Sequence, residues 1–120
     1  MQSNQLILNV NSENPDALAN FYRDVVQLPP IPDMGPSAFN AGGSAAFIID
    51  GHSDVRGKAK EPPRVLINFM VDDLAAEQAR LEAAGVPCIR NAGREEWGGL
   101  ISTFVDPDGN YMQLIEYKPG

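Results

Sequence analysis

The segment Asp106–Asn110, with the sequence Asp-Pro-Asp-Gly-Asn, constrains the fold of this chain more than any other feature. Proline presets φ at the second turn position, aspartate side chains accept hydrogen bonds from nearby N–H groups, and glycine tolerates positive φ. A short, bounded and largely apolar run follows at residues 111–116, as expected for a strand. The segment therefore predicts a tight turn that leads into a strand.

A similar run occurs earlier in the chain. Residues 43–50 match residues 109–116 position by position, at an offset of 66 residues between Gly43 and Gly109. A chain of 120 residues is the size of one domain, so the two copies predict two modules of a single domain. We expect the modules at about residues 1–52 and 63–120, joined by a polar linker at 53–62.

Each module is predicted to be an α+β unit in which a strand precedes a helix and further strands follow it. The first helix is expected to begin at Asn14, whose side chain would cap it, and to stop before Pro29. The second begins after Asp72 or Asp73 and ends at Gly85. The predicted strands cover residues 5–10, 37–41, 44–50, 65–71, 87–91, 99–105 and 110–117. We interpret each half as βαβββ, with the helices covering one face of a sheet.

Alternation along three of the strands separates an apolar side from a mixed side. The apolar sides, expected to pack under the helices, carry Leu6, Leu8, Val10, Val65, Ile67, Phe69, Val71, Met112 and Leu114. The opposite sides carry four amides, Gln5, Asn9, Asn68 and Gln113. Unpaired buried amides are costly, so we expect this side to line a concave, partly polar pocket and not a second dry core. The alternative is a sheet face exposed to solvent.

Charge and cysteine content narrow the function classes. The net charge of −7 argues against nucleic acid as a partner, because phosphate binding needs a basic face. It is compatible with a cationic small molecule or with solubility alone. No apolar run is long enough to span a membrane. The lone cysteine, Cys88, cannot form an intrachain disulfide, which fits a cytoplasmic location.

Five segments, taken in order, make the chain resemble the glyoxalase / bleomycin resistance protein / extradiol dioxygenase superfamily, the vicinal oxygen chelate fold. The matching segments are Leu8–Val10, Leu18–Val25, Asn68–Leu74, Leu81–Val86 and Phe104–Asn110. The resemblance implies two βαβββ modules whose mixed sheets curl around a cup. It also implies a homodimer.

The metal enzymes of this superfamily carry four ligands, and the resemblance maps those positions onto Gln5, Phe47, Leu66 and Gln113. Phenylalanine and leucine offer no donor atom. Two neutral amide oxygens without a carboxylate or an imidazole hold a divalent ion poorly. We therefore expect no metal and no cofactor.

The leading hypothesis from the sequence is a metal-free protein that binds a small organic molecule in its cup. Hydrogen bonds to the ligand are expected from Gln5, Asn9, Asn68 and Gln113. Apolar and aromatic walls are expected from Phe47, Leu66, Met70, Trp97 and Tyr111. No nucleophile–base pair is visible, so no catalytic residue is assigned.

Two alternatives stay open at this point. The chain is a metal-dependent lyase or dioxygenase if ligands come from Glu95, Glu96 or His52, or from across a dimer. It is a structural or partner-binding module if the cup is closed and filled.

Overall fold

The computed structural model describes residues 1–118 and divides the chain into two compact units, residues 1–57 and 58–120. Each unit has a mixed sheet with a helix packed on it. The first sheet has three strands and the second has four. The predicted α+β fold class with two mixed sheets is therefore confirmed.

The first unit is built around a central strand. Its elements are β1 (Ile7–Ser12), α1 (Pro15–Asn20), β2 (Ala38–Asn40) and β3 (Ala46–Gly51). A π-helical turn, Phe21–Val25, continues α1, and a short 3-10 turn covers Pro32–Met34. Strand β3 pairs in parallel with β1 and antiparallel with β2.

The βαβββ prediction is wrong for the first unit, because its described residues form three strands and not four. In place of a fourth strand, Pro30 forms a single isolated bridge to Phe39. Two backbone bonds flank the bridge, from Ile31 N to Ala38 O (2.9 Å) and from Asn40 N to Pro29 O (2.8 Å). Proline has no N–H to donate to a ladder, so this proline-rich segment cannot extend the pairing.

The second unit has the predicted βαβββ order. Its elements are β4 (Ile67–Met70), α2 (Leu74–Ala83), β5 (Cys88–Arg94), β6 (Leu100–Val105) and β7 (Tyr111–Glu116), preceded by a 3-10 turn at Pro62–Arg64. The strands lie in the order β4-β7-β6-β5, and only the β4–β7 pair is parallel. Within residues 1–118, no helix has the length and apolarity needed to cross a bilayer.

Each helix packs on one face of its own sheet, and each unit has its own set of buried side chains. The main buried side chains of the first unit are Leu18, Tyr22, Phe39, Phe47 and Ile49. Those of the second are Ile67, Phe69, Leu74, Leu81, Val86, Phe104, Met112 and Leu114. Burial of one such aliphatic or aromatic side chain contributes about 1.5–3 kcal/mol, so these two sets dominate the stability of their units.

The predicted apolar sides are correct inside the strands and wrong just before them. Ile67 and Phe69 are buried, as expected. Leu6 and Val65 were expected on the same sides, yet they are 72% and 61% exposed. Both residues precede the first residue of their strand, so the alternation that fixes a side chain on one face does not apply to them.

Local hydrogen bonds explain the turn at Asp106. Its buried carboxylate accepts bonds from the backbone N–H of Asp108 and of Asn110 and from the Asn110 side-chain amide, all at 2.9 Å. The Asp106 N–H donates to the carbonyl oxygen of Asn110 at 3.0 Å. The predicted tight turn into β7 is confirmed.

The two helix starts differ. Asp73 accepts a bond from the N–H of Ala76 at 3.1 Å, so it caps α2 as predicted. Asn14 makes no such bond with its side chain, and the predicted cap is wrong. Instead, the backbone N–H of Asn14 donates to Ser12 Oγ at 2.9 Å.

Candidate functional site

The side of the second sheet that faces away from α2 carries a line of polar residues across all four strands. We call this side the open face and the line the polar row. Strand register pairs Asn68 with Gln113, Gln113 with Thr103, and Thr103 with Arg90. Side chains at paired positions lie on the same face and about 5 Å apart, so the four groups are neighbours.

Gln113 is held in place within the polar row. Its side-chain nitrogen Nε2 donates to the hydroxyl oxygen of Thr103 at 2.9 Å. Thr103 is almost completely buried, whereas Gln113 is half-buried and Asn68 is exposed. The bond fixes the orientation of the amide, so the side-chain oxygen of Gln113 is left as an acceptor.

Apolar side chains flank the polar row on both sides along the strands. On one side lie Tyr111 and Val105; on the other lie Met70, Ile115 and Ile101. Leu66, which is 39% exposed, precedes the first residue of β4, so strand pairing does not place it on this face. Residues two apart in a strand are separated by about 7 Å, so each flank lies within reach of a small molecule bound at the row. A few fixed polar groups between apolar walls are typical of small-molecule sites.

Arg90 belongs to the polar row because of a β-bulge. Cys88 pairs with Phe104 and Arg90 pairs with Thr103, so Ile89 has no partner of its own. A bulge of this kind redirects side chains. The Arg90 guanidinium forms an ion pair with the carboxylate of Glu95. Sequence reasoning missed Arg90, because regular alternation does not reveal where a strand gains a residue.

Trp97 lies at the far end of the second sheet. Its ring packs on Tyr117 with centroids 5.5 Å apart and an interplanar angle of 61°. It also covers Gly99, where an added Cβ would come within 1.9 Å of the indole. Tyr117 follows the last residue of β7 and lies four residues, or about 13 Å, beyond Gln113. Trp97 is therefore separated from the polar row by the length of the strand.

Phe47 is not on a ligand-facing surface. Its side chain is 1% exposed and packs on Tyr22 with ring centroids 4.7 Å apart, in the core under α1. Its assignment as a wall of the site is thus corrected. The residue that occupies the place of Gln113 in the first unit is Ile48, since Ala38 pairs with Ile48 as Thr103 pairs with Gln113.

The other two predicted amides, Gln5 and Asn9, belong to the first unit. Gln5 is exposed and precedes β1, so it is not part of the sheet. Asn9 lies on β1 and pairs with Ile48 in register. Its side-chain nitrogen donates to a carboxylate oxygen of Asp50 at 3.1 Å.

The residues present do not fit the superfamily's metal centre. Among the four mapped positions, Phe47 is in the core and Leu66 has no donor atom. Within residues 1–118, no three His, Cys, Asp or Glu side chains are grouped so as to hold a metal ion. Glu95 is engaged with Arg90. The donor set therefore supports no step that depends on a bound divalent ion.

The surroundings of Cys88 and of Glu116 indicate structural roles for both side chains. Burial raises the pKa of the Cys88 thiol, which disfavours the reactive thiolate near neutral pH. Its Sγ lies 3.3 Å from the carbonyl oxygen of Arg90. Glu116 accepts a bond from the N–H of Leu74 at 3.0 Å, so its carboxylate stabilises the start of α2.

Comparison with known families agrees with the two-sheet architecture. The family model described as the Glyoxalase/Bleomycin resistance protein/Dioxygenase superfamily matches residues 4–114. The chain belongs to this superfamily. The match includes both sheets almost completely, so the resemblance seen in the sequence segments is confirmed.

Several solved structures share the fold of this chain. A glyoxalase/bleomycin resistance protein/dioxygenase family enzyme from Burkholderia phytofirmans PsJN is 18% identical, with a TM-score of 0.72 over 92% of this chain and 95% of that one. A lactoylglutathione lyase from Agrobacterium tumefaciens is 23% identical, with a TM-score of 0.68 over 92% and 91%. A protein of unknown function from Agrobacterium tumefaciens str. C58 is 25% identical, with a TM-score of 0.71 over 98% and 95%. No curated protein matches the chain.

Proposed function

We propose that this superfamily member binds a small organic molecule on the open face of its second sheet, without a metal ion. The observation that carries the proposal is the polar row, in which Thr103 holds the amide of Gln113 between two apolar flanks. Asn68 lies beside Gln113 in register and adds a second amide. A ligand with both polar and apolar parts would find partners for each on this face.

Two features argue for binding in preference to metal-assisted chemistry. The amides of Asn68 and Gln113 are neutral, and neutral oxygen donors suit hydrogen bonding better than divalent ion capture. Glu95 and His52, which were candidates for recruited ligands, have local partners: Glu95 pairs with Arg90, and His52 accepts a bond from the N–H of Asp54 at 3.1 Å.

The first test is the substitution Gln113→Leu, measured by isothermal titration with the strongest binder from a fragment screen. Leucine keeps the approximate volume but removes the amide oxygen and nitrogen, so we expect roughly a tenfold loss of affinity. Gln2→Leu is the matched control, since Gln2 is exposed and outside both sheets. Unchanged affinity in Gln113→Leu would rule out this assignment of the site.

The metal question has its own test. The protein is incubated with zinc, nickel, manganese and ferrous iron, dialysed extensively and analysed for metal content. We expect no metal to be retained. About one ion per chain would contradict the proposal and favour a metal-dependent lyase or dioxygenase of the same superfamily.

The assembly and the location of the protein remain expectations. The superfamily resemblance implies a homodimer, and sedimentation equilibrium would show twice the 13.0 kDa chain mass if this holds. The single cysteine fits the cytoplasm. A monomer at all measured concentrations would refute the dimer.

A further inference from the structure

We propose that the ligand of the open face carries a carboxylate and that Arg90 binds this group. The inference rests on the proposed function and specifies its ligand class. The net charge of −7, which is compatible with a cationic small molecule or with solubility alone, does not by itself point to such a ligand. The argument comes from the position of one guanidinium in the polar row.

Three contacts place the Arg90 guanidinium over the open face. Arg90 pairs with Thr103, whose hydroxyl oxygen accepts the bond from Gln113. Gly93 pairs with Ile101 two residues further along β6, on the same face. Arg90 Nη2 lies 3.6 Å from the position that a Cβ on Gly93 would occupy. This is an ordinary van der Waals distance, so the guanidinium lies directly beside Gly93 on the face that Ile101 shares.

Glu95 orients the guanidinium without using all of it. The ion pair joins Glu95 Oε1 to Arg90 Nη2. In the described residues 1–118, Nε and Nη1 of Arg90 have no hydrogen-bond partner. Arginine has five N–H donors in a planar fork that fits the two oxygens of a carboxylate. Arg90 can therefore hold Glu95 through one nitrogen and still bind a ligand carboxylate with the others.

The other arginines of the second unit have partners away from the polar row. Arg64 pairs with Glu61 before β4, and Arg80 pairs with Glu77 along α2, each at 2.8 Å. Arg94 donates to the carbonyl oxygen of Gly98 at 2.7 Å and pairs with Leu100, which alternates onto the side of α2. Of these four arginines, Arg90 is the one beside Thr103 and Gln113.

With Arg90 included, the polar row forms a surface that can bind an organic acid. The carboxylate lies at Arg90, the neutral polar groups of the ligand lie at Gln113 and Asn68, and its apolar part covers the flank at Tyr111 or at Ile115. A charge-assisted hydrogen bond is about twice as strong as a neutral one, so the carboxylate would be the main determinant of affinity.

The test uses three probes with the same aryl group: 2-naphthoate, 2-naphthamide and 2-naphthylmethylammonium. Binding is followed by NMR through the side-chain amide signals of Gln113 and Asn68, with probes in the millimolar range. We expect 2-naphthoate to bind roughly tenfold or more tightly than the amide, the gain expected for a hydrogen bond to a charged group. The ammonium compound should bind most weakly.

Variants then assign the preference to Arg90. Arg90→Gln should reduce 2-naphthoate affinity to that of 2-naphthamide, and Arg90→Lys should keep part of the preference because it retains the charge but not the fork. Arg64→Gln removes an equal charge from the same unit and should leave the preference unchanged. Because Arg90 is exposed, we expect each variant to stay folded, and circular dichroism checks this.

Other outcomes overturn the inference in distinct ways. Equal affinity for the acid and the amide, or tighter binding of the ammonium compound, contradicts the carboxylate assignment and leaves the proposed function standing. No shift of Gln113 or Asn68 with any of the three probes also contradicts it. The proposed function itself fails on a separate result, in which no compound of a broad fragment library affects the open face.

Discussion

The two units share a framework but differ on the side away from their helices. Phe39 pairs with Phe47 in the first unit as Phe104 pairs with Met112 in the second, and all four side chains are buried. The next line of paired residues is Asn9, Ile48 and Ala38 in the first unit and Asn68, Gln113 and Thr103 in the second. The core pattern is thus repeated, whereas the polar row occurs on the second sheet.

The difference supports our proposal that the second sheet, and not the first, binds the ligand. The first sheet ends at β2, where Pro30 makes one bridge to Phe39 and no further strand follows in the described residues. The second sheet continues into β5, which contributes Arg90 to the polar row. The edge of the first sheet stops at a proline, whereas the edge of the second sheet has a bulge that adds a charged side chain to the face.

The turns before β3 and β7 make the same comparison on a smaller scale. Ala41 N donates to Ala45 O as Asp106 N donates to Asn110 O, and both distances are 3.0 Å. The buried carboxylate of Asp106 has no counterpart at Ala41. In the first unit, the Asn40 side chain instead accepts a bond from Gly42 N at 2.8 Å.

The largest expected effect tests whether Phe47 is a core residue. Phe47→Ala should lower the free energy of unfolding by about 3–5 kcal/mol, because it empties a fully buried site beside Tyr22. Ile48→Ala should cost at most about 2 kcal/mol, because Ile48 is only half-buried. Urea denaturation of both variants measures the difference. A larger loss of stability in Ile48→Ala than in Phe47→Ala would contradict the assignment of Phe47 to the core.

The next largest effect concerns the turn in the second unit. Asp106→Ala removes three hydrogen bonds to one buried carboxylate and should cost about 2–4 kcal/mol. Asp108→Ala is the control, with an expected change within about 0.5 kcal/mol, since Asp108 contributes to the turn through its backbone. Thermal unfolding compares the two, and equal changes would show that the Asp106 carboxylate does not stabilise the turn.

The helix starts provide a smaller contrast. Asp73→Ala should cost about 1 kcal/mol, because it removes the bond from Ala76 N that caps α2. Asn14→Ala should stay within about 0.5 kcal/mol, because the Asn14 side chain caps nothing. The urea denaturation midpoints of the two variants measure these two losses of stability. An equal loss for Asn14→Ala would mean that the first helix is capped by its side chain after all.

The smallest effect lies at the helix ends. Gln27 has a φ of 70°, and Gly85 after α2 has a φ of 84°. The left-handed region is costly for a residue with a Cβ, so Gln27→Gly should stabilise the protein by about 0.5 kcal/mol after the entropy of the unfolded chain is included. Gly85→Ala should destabilise it by about 1 kcal/mol. Calorimetry should show a higher unfolding temperature for Gln27→Gly and a lower one for Gly85→Ala. A change in the same direction for both variants would contradict this expectation.

Local signals in the sequence predicted most of the fold. The Asp-Pro-Asp-Gly-Asn turn, the cap at Asp73 and the strand alternation at Ile67 and Phe69 depend on neighbouring residues, and the structure bears them out. The missing strand of the first unit also has a local cause, since Pro30 cannot donate to a ladder.

The site was less predictable, because it depends on register. An offset of 66 residues equated Phe47 with Gln113, whereas strand pairing equates Phe47 with Met112, 65 residues away. A slip of one residue moves a side chain to the opposite face of the sheet. Arg90 was missed for a related reason, since its bulge has no simple sequence signal. Asn68 and Gln113 were both expected on the mixed side of their strands, and that expectation agrees with the register because both lie inside regular strands.

The most direct test of ligand binding on the second sheet is an NMR titration of the ¹⁵N-labelled protein with a broad fragment library. We predict saturable shifts of the Asn68 and Gln113 side-chain amides with at least one class of compound, and loss of the Asn68 shift in Gln113→Leu. Shifts confined to α2 or to the first unit, with both amides unmoved, would contradict the account.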